Sequence, residues 1–214
     1  MSLLNEEVRG QLGEVFEGMG SDVTIALFTT EDGCESCSDT KDFMGEVEGL
    51  SDKLDLEIYD LDKDQEKAKE LNVDKVPAIV LLDANKKDNG VKFYGIPAGH
   101  EINSFVTGIM EVSGSGEALP DEVLEEIKGI DKDVDIKVFV TLSCPHCAGA
   151  VAKAHKLALL NDKISGQMIE AQTFSELSEK FDVSGVPKIV INDEFELVGN
   201  QPLDKFLEEI GKIN

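Results

Sequence analysis

The sequence predicts an α/β protein made of two tandem domains, each a mixed β-sheet flanked by helices, and three observations carry that prediction. First, a Cys-x-x-Cys pair twice follows an apolar run of strand length: Cys34 and Cys37 after residues 23–28, Cys144 and Cys147 after residues 136–140. Second, a Val-Pro dipeptide opens another apolar run downstream of each pair, and 43 residues separate Cys34 from Pro77 and Cys144 from Pro187 alike. Third, the intervening pattern repeats at an offset of 110 residues, as in Leu71-Asn72-Val73 against Phe181-Asp182-Val183. That offset exceeds any solenoid period, so each copy reads as a whole domain rather than a stacking unit. Each copy is also large enough to bury its own core. Ser113-Gly114-Ser115-Gly116, uncharged and rich in small residues, falls at the repeat boundary and predicts a flexible linker. The domains are expected at 1–115 and 116–214.

Taken in order, residues 3–18 pattern as an amphipathic helix, with Leu4, Val8, Leu12 and Val15 on one face and Gly18 and Gly20 to stop it. Residues 23–28 form a strand, and Thr30-Glu31-Asp32-Gly33 is turn-like. A helix begins at Ser36, its apolar face made by Cys37, Met44 and Val47. Alternation over 55–60 predicts a strand, and Asp64 can cap a short helix reaching Leu71. Residues 77–82 and 91–94 are strands around a turn-rich loop, and 101–112 is a closing helix with Ile102, Phe105, Val106 and Ile109 inward. The second half repeats the plan with helix 120–129, strand 136–140, helix 148–158 and a strand near 167–170. A helix from Ser175 to Phe181, hairpin strands 188–191 and 195–198, and a helix over 203–213 complete it. A parallel βαβ unit followed by an antiparallel hairpin gives a mixed sheet with helices on both faces.

Acidic residues outnumber basic ones 44 to 20, a net charge of −24, and Arg9 is the lone arginine. Such a surface repels phosphate backbones and anionic lipid, which argues against nucleic-acid and membrane partners. Its plain role is a solubilising coat. No apolar run exceeds residues 77–82, far short of the roughly 20 residues of a membrane span. The first residues, Met1-Ser2-Leu3-Leu4-Asn5-Glu6-Glu7, lack the basic start and apolar core of a signal peptide, so a cytoplasmic location is expected. Structural disulfides are rare there, and all four cysteines belong to the two pairs.

A thiol attacks as its thiolate, and a helix N-terminus sets unpaired N–H groups and partial positive charge beside the first sulfur. Cys144 is therefore the expected nucleophile and Cys147, one turn in, the resolving thiol; Cys34 and Cys37 stand in the same relation. Pro145 fits the first turn. His146, when protonated, favours the neighbouring thiolate, whereas Glu35 opposes it at the first pair, so the second pair is expected to be the stronger attacking site. Asp60 and Glu170 are equivalent and share strand parity with Ile58 and Met168. An inward carboxyl with a raised pKa could take the resolving cysteine's proton, although a solvated strand end is the simpler reading. His100 and His155 lie outside both motifs and are assigned to surface or packing roles. One structural zinc held by all four cysteines is an alternative of another class, but zinc ribbons space their pairs by about 15–20 residues, against 110 here. A non-catalytic binding module is a second such alternative.

The paired motif, Cys-x-x-Cys after the first strand and Val-Pro 43 residues on, resembles the thioredoxin/glutaredoxin fold. Two such units in one chain resemble the protein disulfide oxidoreductases of archaea and of anaerobic or thermophilic bacteria, and the resemblance covers the whole chain. It implies two tandem thioredoxin-like domains and a dithiol–disulfide oxidoreductase that reduces, forms or isomerises protein disulfides. Cys34, Cys37, Cys144 and Cys147 would carry the chemistry with no cofactor, because the cysteines hold the two electrons. A cis proline against each pair is implied too, which puts Val76 and Pro77, and Val186 and Pro187, in contact with substrate. The implied partners are protein disulfides and a thioredoxin-reductase-like flavoprotein. Cys-Glu-Ser-Cys is an unusual variant for the family. The tandem thioredoxin-like segment of bacterial peroxiredoxin reductases is similar as well, which makes a dedicated electron carrier to a peroxiredoxin the alternative. One cysteine pair is usually missing there, and both are intact here.

Overall fold

The computed structural model describes residues 3–213; Met1, Ser2 and Asn214, the outermost ends of the two expected domains, lie outside the described residues. The first half contributes strands β1 (Val23–Thr29), β2 (Leu54–Asp60), β3 (Ala78–Leu82) and β4 (Asp88–Tyr94). Its helices are α1 (Glu6–Phe16), α2 (Cys37–Glu48), α3 (Gln65–Glu70) and α4 (Ile102–Val112). The second half contributes β5 (Val134–Val140), β6 (Ile164–Glu170), β7 (Lys188–Ile191) and β8 (Phe195–Val198). Its helices are α5 (Asp121–Lys128), α6 (Cys147–Leu160), α7 (Ser175–Lys180) and α8 (Leu203–Ile210). Within each half the pairing is the one the pattern predicts. β1 is parallel to β2 and antiparallel to β3, and β3 is antiparallel to β4; β5, β6, β7 and β8 repeat this.

The two half-sheets are one. β4 runs parallel to β6, with Val91 opposite Gly166 and Tyr94 opposite Ile169, and the strand order is β2-β1-β3-β4-β6-β5-β7-β8. Nothing in the repeat pattern announces this join, because a strand edge that pairs with its own half looks like one that pairs with a neighbour. It fixes the geometry of everything that follows. β1 and β5 point the same way, so the cysteine pairs after them emerge at the same end of the sheet. α1, α2, α4 and α6 feed one apolar core, where Phe16, Met44, Ile109 and Val151 are buried; Leu71 and Phe181, just past α3 and α7, are buried against the opposite face. Buried lysines finish those two short helices: the Lys92 and Lys188 ammonium groups donate to the carbonyls of Leu71 and Phe181, the C-cap residues left unsatisfied when each helix stops.

Three local expectations are corrected. α1 starts at Glu6, where Asn5 caps it by accepting from the Val8 N–H. Its inward residue is Phe16, fully buried, while Val15 is 43% exposed; the larger side chain one turn beyond Leu12 takes the core position. The Ser-Gly stretch is not loose. Ser113 is buried and accepts from the Ser21 hydroxyl, and the Ser115 hydroxyl donates to the Gly18 carbonyl. β4 begins at Asp88 and β6 at Ile164, both three residues earlier than the apolar runs indicate, because pairing extends them into polar sequence.

The middle of β6 needs Gly166. A Cβ there would stand 2.7 Å from the Ala154 carbonyl oxygen of α6, so the bare backbone lets helix and strand touch. Gly166→Ala is expected to push α6 from the sheet and to cost about 1–3 kcal/mol. Urea titration checks this: an unchanged midpoint would show that α6 shifts freely.

Candidate active site

Each cysteine pair sits where an inner strand stops and a helix starts. Cys37 and Cys147 are the first residues of α2 and α6, which is where the unpaired N–H groups of a helix gather. Both pairs are closed as disulfides, with Cα separations of 5.5 and 5.6 Å. Cys37 and Cys147 are buried, Cys34 is partly exposed, and Cys144 retains 8% exposure. The order of accessibility matches an outer attacking sulfur and an inner resolving one. Pro145, His146 and Glu35 are exposed beside them.

The Val76–Pro77 and Val186–Pro187 peptide bonds are both cis. At the second pair the Cys144 Sγ lies 3.9 Å from the Val186 carbonyl oxygen, so the backbone expected to meet substrate touches the expected nucleophile.

Asp60 and Glu170 do not behave alike. Partial desolvation raises the pKa of Asp60, but the Lys63 ammonium and the backbone N–H groups of Lys63 and Asp62 outweigh it and hold the carboxyl below its usual range. A carboxylate held ionised at the strand end does not wait for a thiol proton, so the inward reading fails at Asp60. Glu170 is buried at 3% exposure; its Oε2 accepts from the Thr173 N–H and hydroxyl, and its Oε1 has no hydrogen-bond partner among the described residues. His155 is a packing residue, as expected: its Nε2 lies 3.1 Å from the Lys92 carbonyl oxygen, its ring meets Phe93 edge-on, and burial pushes its pKa down to about 4. His100 is exposed.

The residue the sequence did not reveal is Glu101. After β4 the chain crosses from the first half to the second site, where a single 3-10 turn, Gly99–Glu101, leads into α4. The His100 N–H donates to the Leu142 carbonyl in the loop carrying Cys144. Gly99, at φ +58°, lies so close to Leu142 that a Cβ would stand 2.4 Å from that same oxygen. The Glu101 side chain is fully buried; its Oε2 is 2.6 Å from the Ser104 hydroxyl and its Oε1 has no partner among the described residues. Burial pushes its pKa up to about 7, against the Ser104 hydrogen bond. A glutamate at a helix start reads in sequence as a favourable end charge, and only the fold shows that this one is enclosed.

β1 and β5 are four places apart in the strand order, about 19 Å at the usual 4.8 Å spacing. Four sulfurs spread over that span cannot surround one zinc ion, whose ligands stand about 2.3 Å from it. Among the described residues no helix is long and apolar enough to cross a membrane.

Residues 134–212 match the thioredoxin domain family. A protein disulfide oxidoreductase from Aeropyrum pernix K1 is 32% identical, with a TM-score of 0.89 over 96% of this chain and 91% of that one. The alkylhydroperoxide reductase AhpF from Enterococcus faecalis V583 is 29% identical, with a TM-score of 0.92 over 97% of this chain and 99% of that structure. The corresponding alkyl hydroperoxide reductase protein of Staphylococcus aureus Mu50 is 26% identical over 209 residues, 98% of this chain. The chain spans 38% of the length of that relative.

Proposed function

This chain belongs to the tandem thioredoxin-like protein disulfide oxidoreductases, and we propose that Cys144 attacks substrate disulfides while Cys147 resolves the mixed disulfide, with Cys34 and Cys37 acting likewise. The observation that carries the reading is the second site itself: a disulfide at a helix start, its outer sulfur against the Val186 carbonyl. In the reducing direction the Cys144 thiolate bonds to one substrate sulfur and the other leaves as a thiolate. Cys147, deprotonated, then attacks the Cys144 sulfur and releases the substrate's first sulfur. Two electrons pass to the substrate, and the site ends as its own disulfide. The base that takes the Cys147 proton in this reading is Glu101, buried at the end of the turn whose Gly99 and His100 backbone packs on Leu142 of the Cys144 loop. Val76, Pro77, Val186 and Pro187 form the two substrate-contacting turns, Pro145, His146 and Glu35 tune the outer thiols, and the functional units are 1–115 and 116–214. A thiol-reducing compartment, the cytoplasm, suits a chain whose cysteines all sit in such pairs.

A second reading has an observation of its own. The match of nearly the whole chain to the AhpF proteins of alkyl hydroperoxide reductases supports a carrier that takes electrons from a flavoprotein and hands them to a peroxiredoxin. Both readings use the same cysteines.

The test is insulin-disulfide reduction driven by dithiothreitol. Wild type is expected to accelerate it, and the variant with all four cysteines replaced by Ser is expected to fall to the rate of dithiothreitol alone. Activity surviving in that variant would overturn the reading.

A further inference from the structure

The two pairs differ in their surroundings and are held apart by the sheet. Thiol–disulfide exchange brings the attacking sulfur into contact with the disulfide, and the strands that carry the pairs are four places apart, about 19 Å. The join between them is stiff. β4 and β6 pair over four residues, and Lys156 of α6 is 2.5 Å from Glu111 of α4.

The charge around the sulfurs differs as well. Glu31, Asp32, Glu35 and Asp39 are exposed around Cys34, and among the described residues only Glu31 of these has an ion-pair partner, Lys63. From residue 139 to 152, around the second pair, the chain carries no Asp, Glu, Lys or Arg.

We propose that the pairs are separate ports that exchange no electrons within one chain, and that the first port serves disulfides carried on positively charged partners. This rests on the oxidoreductase reading above and adds which partner each site takes. At the first port the Cys34 thiolate forms a bond to one sulfur of the partner disulfide and the other sulfur leaves as a thiolate. Cys37, giving up its proton to solvent, attacks Cys34 and frees the partner's first sulfur, so the partner gains two electrons and the port becomes a disulfide. The carboxylates draw a cationic disulfide toward Cys34 and repel an anionic one. At separations near 8 Å in water each carboxylate changes the local concentration of a singly charged group by about twofold; with Glu31 offset by Lys63, the other three enrich a cation about eightfold and deplete an anion about eightfold before salt screening. The effect is screened by salt. The second port, with no Asp, Glu, Lys or Arg in the stretch of chain around its sulfurs, depends on shape and on the Val186 backbone.

The test uses the whole chain and two single-pair variants, Cys34→Ser/Cys37→Ser and Cys144→Ser/Cys147→Ser. Each reduced variant is reacted with cystamine (a dication), bis(2-hydroxyethyl) disulfide (neutral) and 3,3′-dithiodipropionate (a dianion), at low salt and at high salt. The variant keeping the first pair is expected to prefer cystamine over the dianion at least about tenfold more strongly than the other variant at low salt, with the difference collapsing at high salt. An equal preference in both variants would overturn the assignment of a cationic partner. Disulfide reduction by neither variant would instead mean that the oxidoreductase reading fails.

For the separation of ports, fully reduced chain is given half an equivalent of oxidant, then quenched and differentially alkylated so that peptide masses report which pair holds the disulfide. Redistribution between pairs is followed from whichever loading runs downhill. We expect its rate to rise tenfold with a tenfold rise in protein concentration and to match that of the two single-pair variants mixed at the same concentration. A rate independent of concentration would show exchange inside the chain and defeat the separation.

Discussion

Replacing Cys147 by Ser is expected to turn the second site from a catalyst into a trap. The outer sulfur, Cys144, would still attack, because its helix start and the Val186 contact are unchanged. The mixed disulfide would then have no neighbouring thiol to break it, and substrates would accumulate covalently on Cys144 while turnover through this site falls to background. Cys144→Ser should behave oppositely. Its remaining thiol, Cys147, has no exposed surface, so an incoming disulfide cannot reach it. Both variants are best made in a chain whose first pair is already replaced by Ser, so that one site is read at a time. Non-reducing gels of each variant incubated with oxidised insulin decide the matter. Comparable trapping by both would mean that the roles of the two cysteines are wrong, even if the site remains active.

How much of this was legible in the sequence depends on the range of the interaction that shows it. Strands and helices follow local pattern, and the duplicated spacing of Cys34 to Pro77 and Cys144 to Pro187 was enough for the fold and for the cysteines. The exchange of Val15 for Phe16 on the inner face of α1 is an error of one position that a helix with apolar residues on two adjacent faces invites. Contacts between the halves were not legible. The β4–β6 join, the seating of Gly99 on Leu142 and the burial of Glu101 depend on where a strand edge comes to rest, and no periodicity within either repeat encodes it. Asp60 and Glu170 show the same limit. Their repeat positions are equivalent, but Asp60 ends an outer strand with Lys63 at hand while Glu170 ends a strand covered by β4. The repeat predicted two like carboxyls, and the way the repeats are joined made them different.

Glu101→Gln is expected to stabilise the protein above neutral pH and to slow the second site. The carboxyl titrates at about 7 in the folded chain against an ordinary value of 4.5, so below pH 4.5 it is protonated folded or unfolded and costs nothing. As pH rises through 7 the folded chain must hold a buried carboxylate that the unfolded chain leaves in water. That stability is therefore lost between about pH 4.5 and 7, and the difference between the two values, about 2.5, corresponds to about 3 kcal/mol. His155 works in the other sense. Its folded pKa is pushed down to about 4 from 6.5, so its contribution is complete above pH 6.5 and is lost as pH falls through about 4, which tilts the wild-type curve opposite to Glu101 over much of the same range. The difference between variant and wild type removes His155 and every other shared group. That difference should be near zero at pH 4.5 and rise to about 3 kcal/mol in favour of the variant at pH 8. A stabilisation that does not vary with pH would show that Glu101 is not the titrating group. The functional half is measured in the same variant with the first pair replaced by Ser. If the carboxylate takes the Cys147 proton, turnover near neutral pH should drop by about a hundredfold while the alkylation rate of Cys144 stays as it was. A rate that is unchanged, in a protein that has become more stable at high pH, would leave Glu101 as a buried acid tolerated by the fold and would remove it from the resolving step.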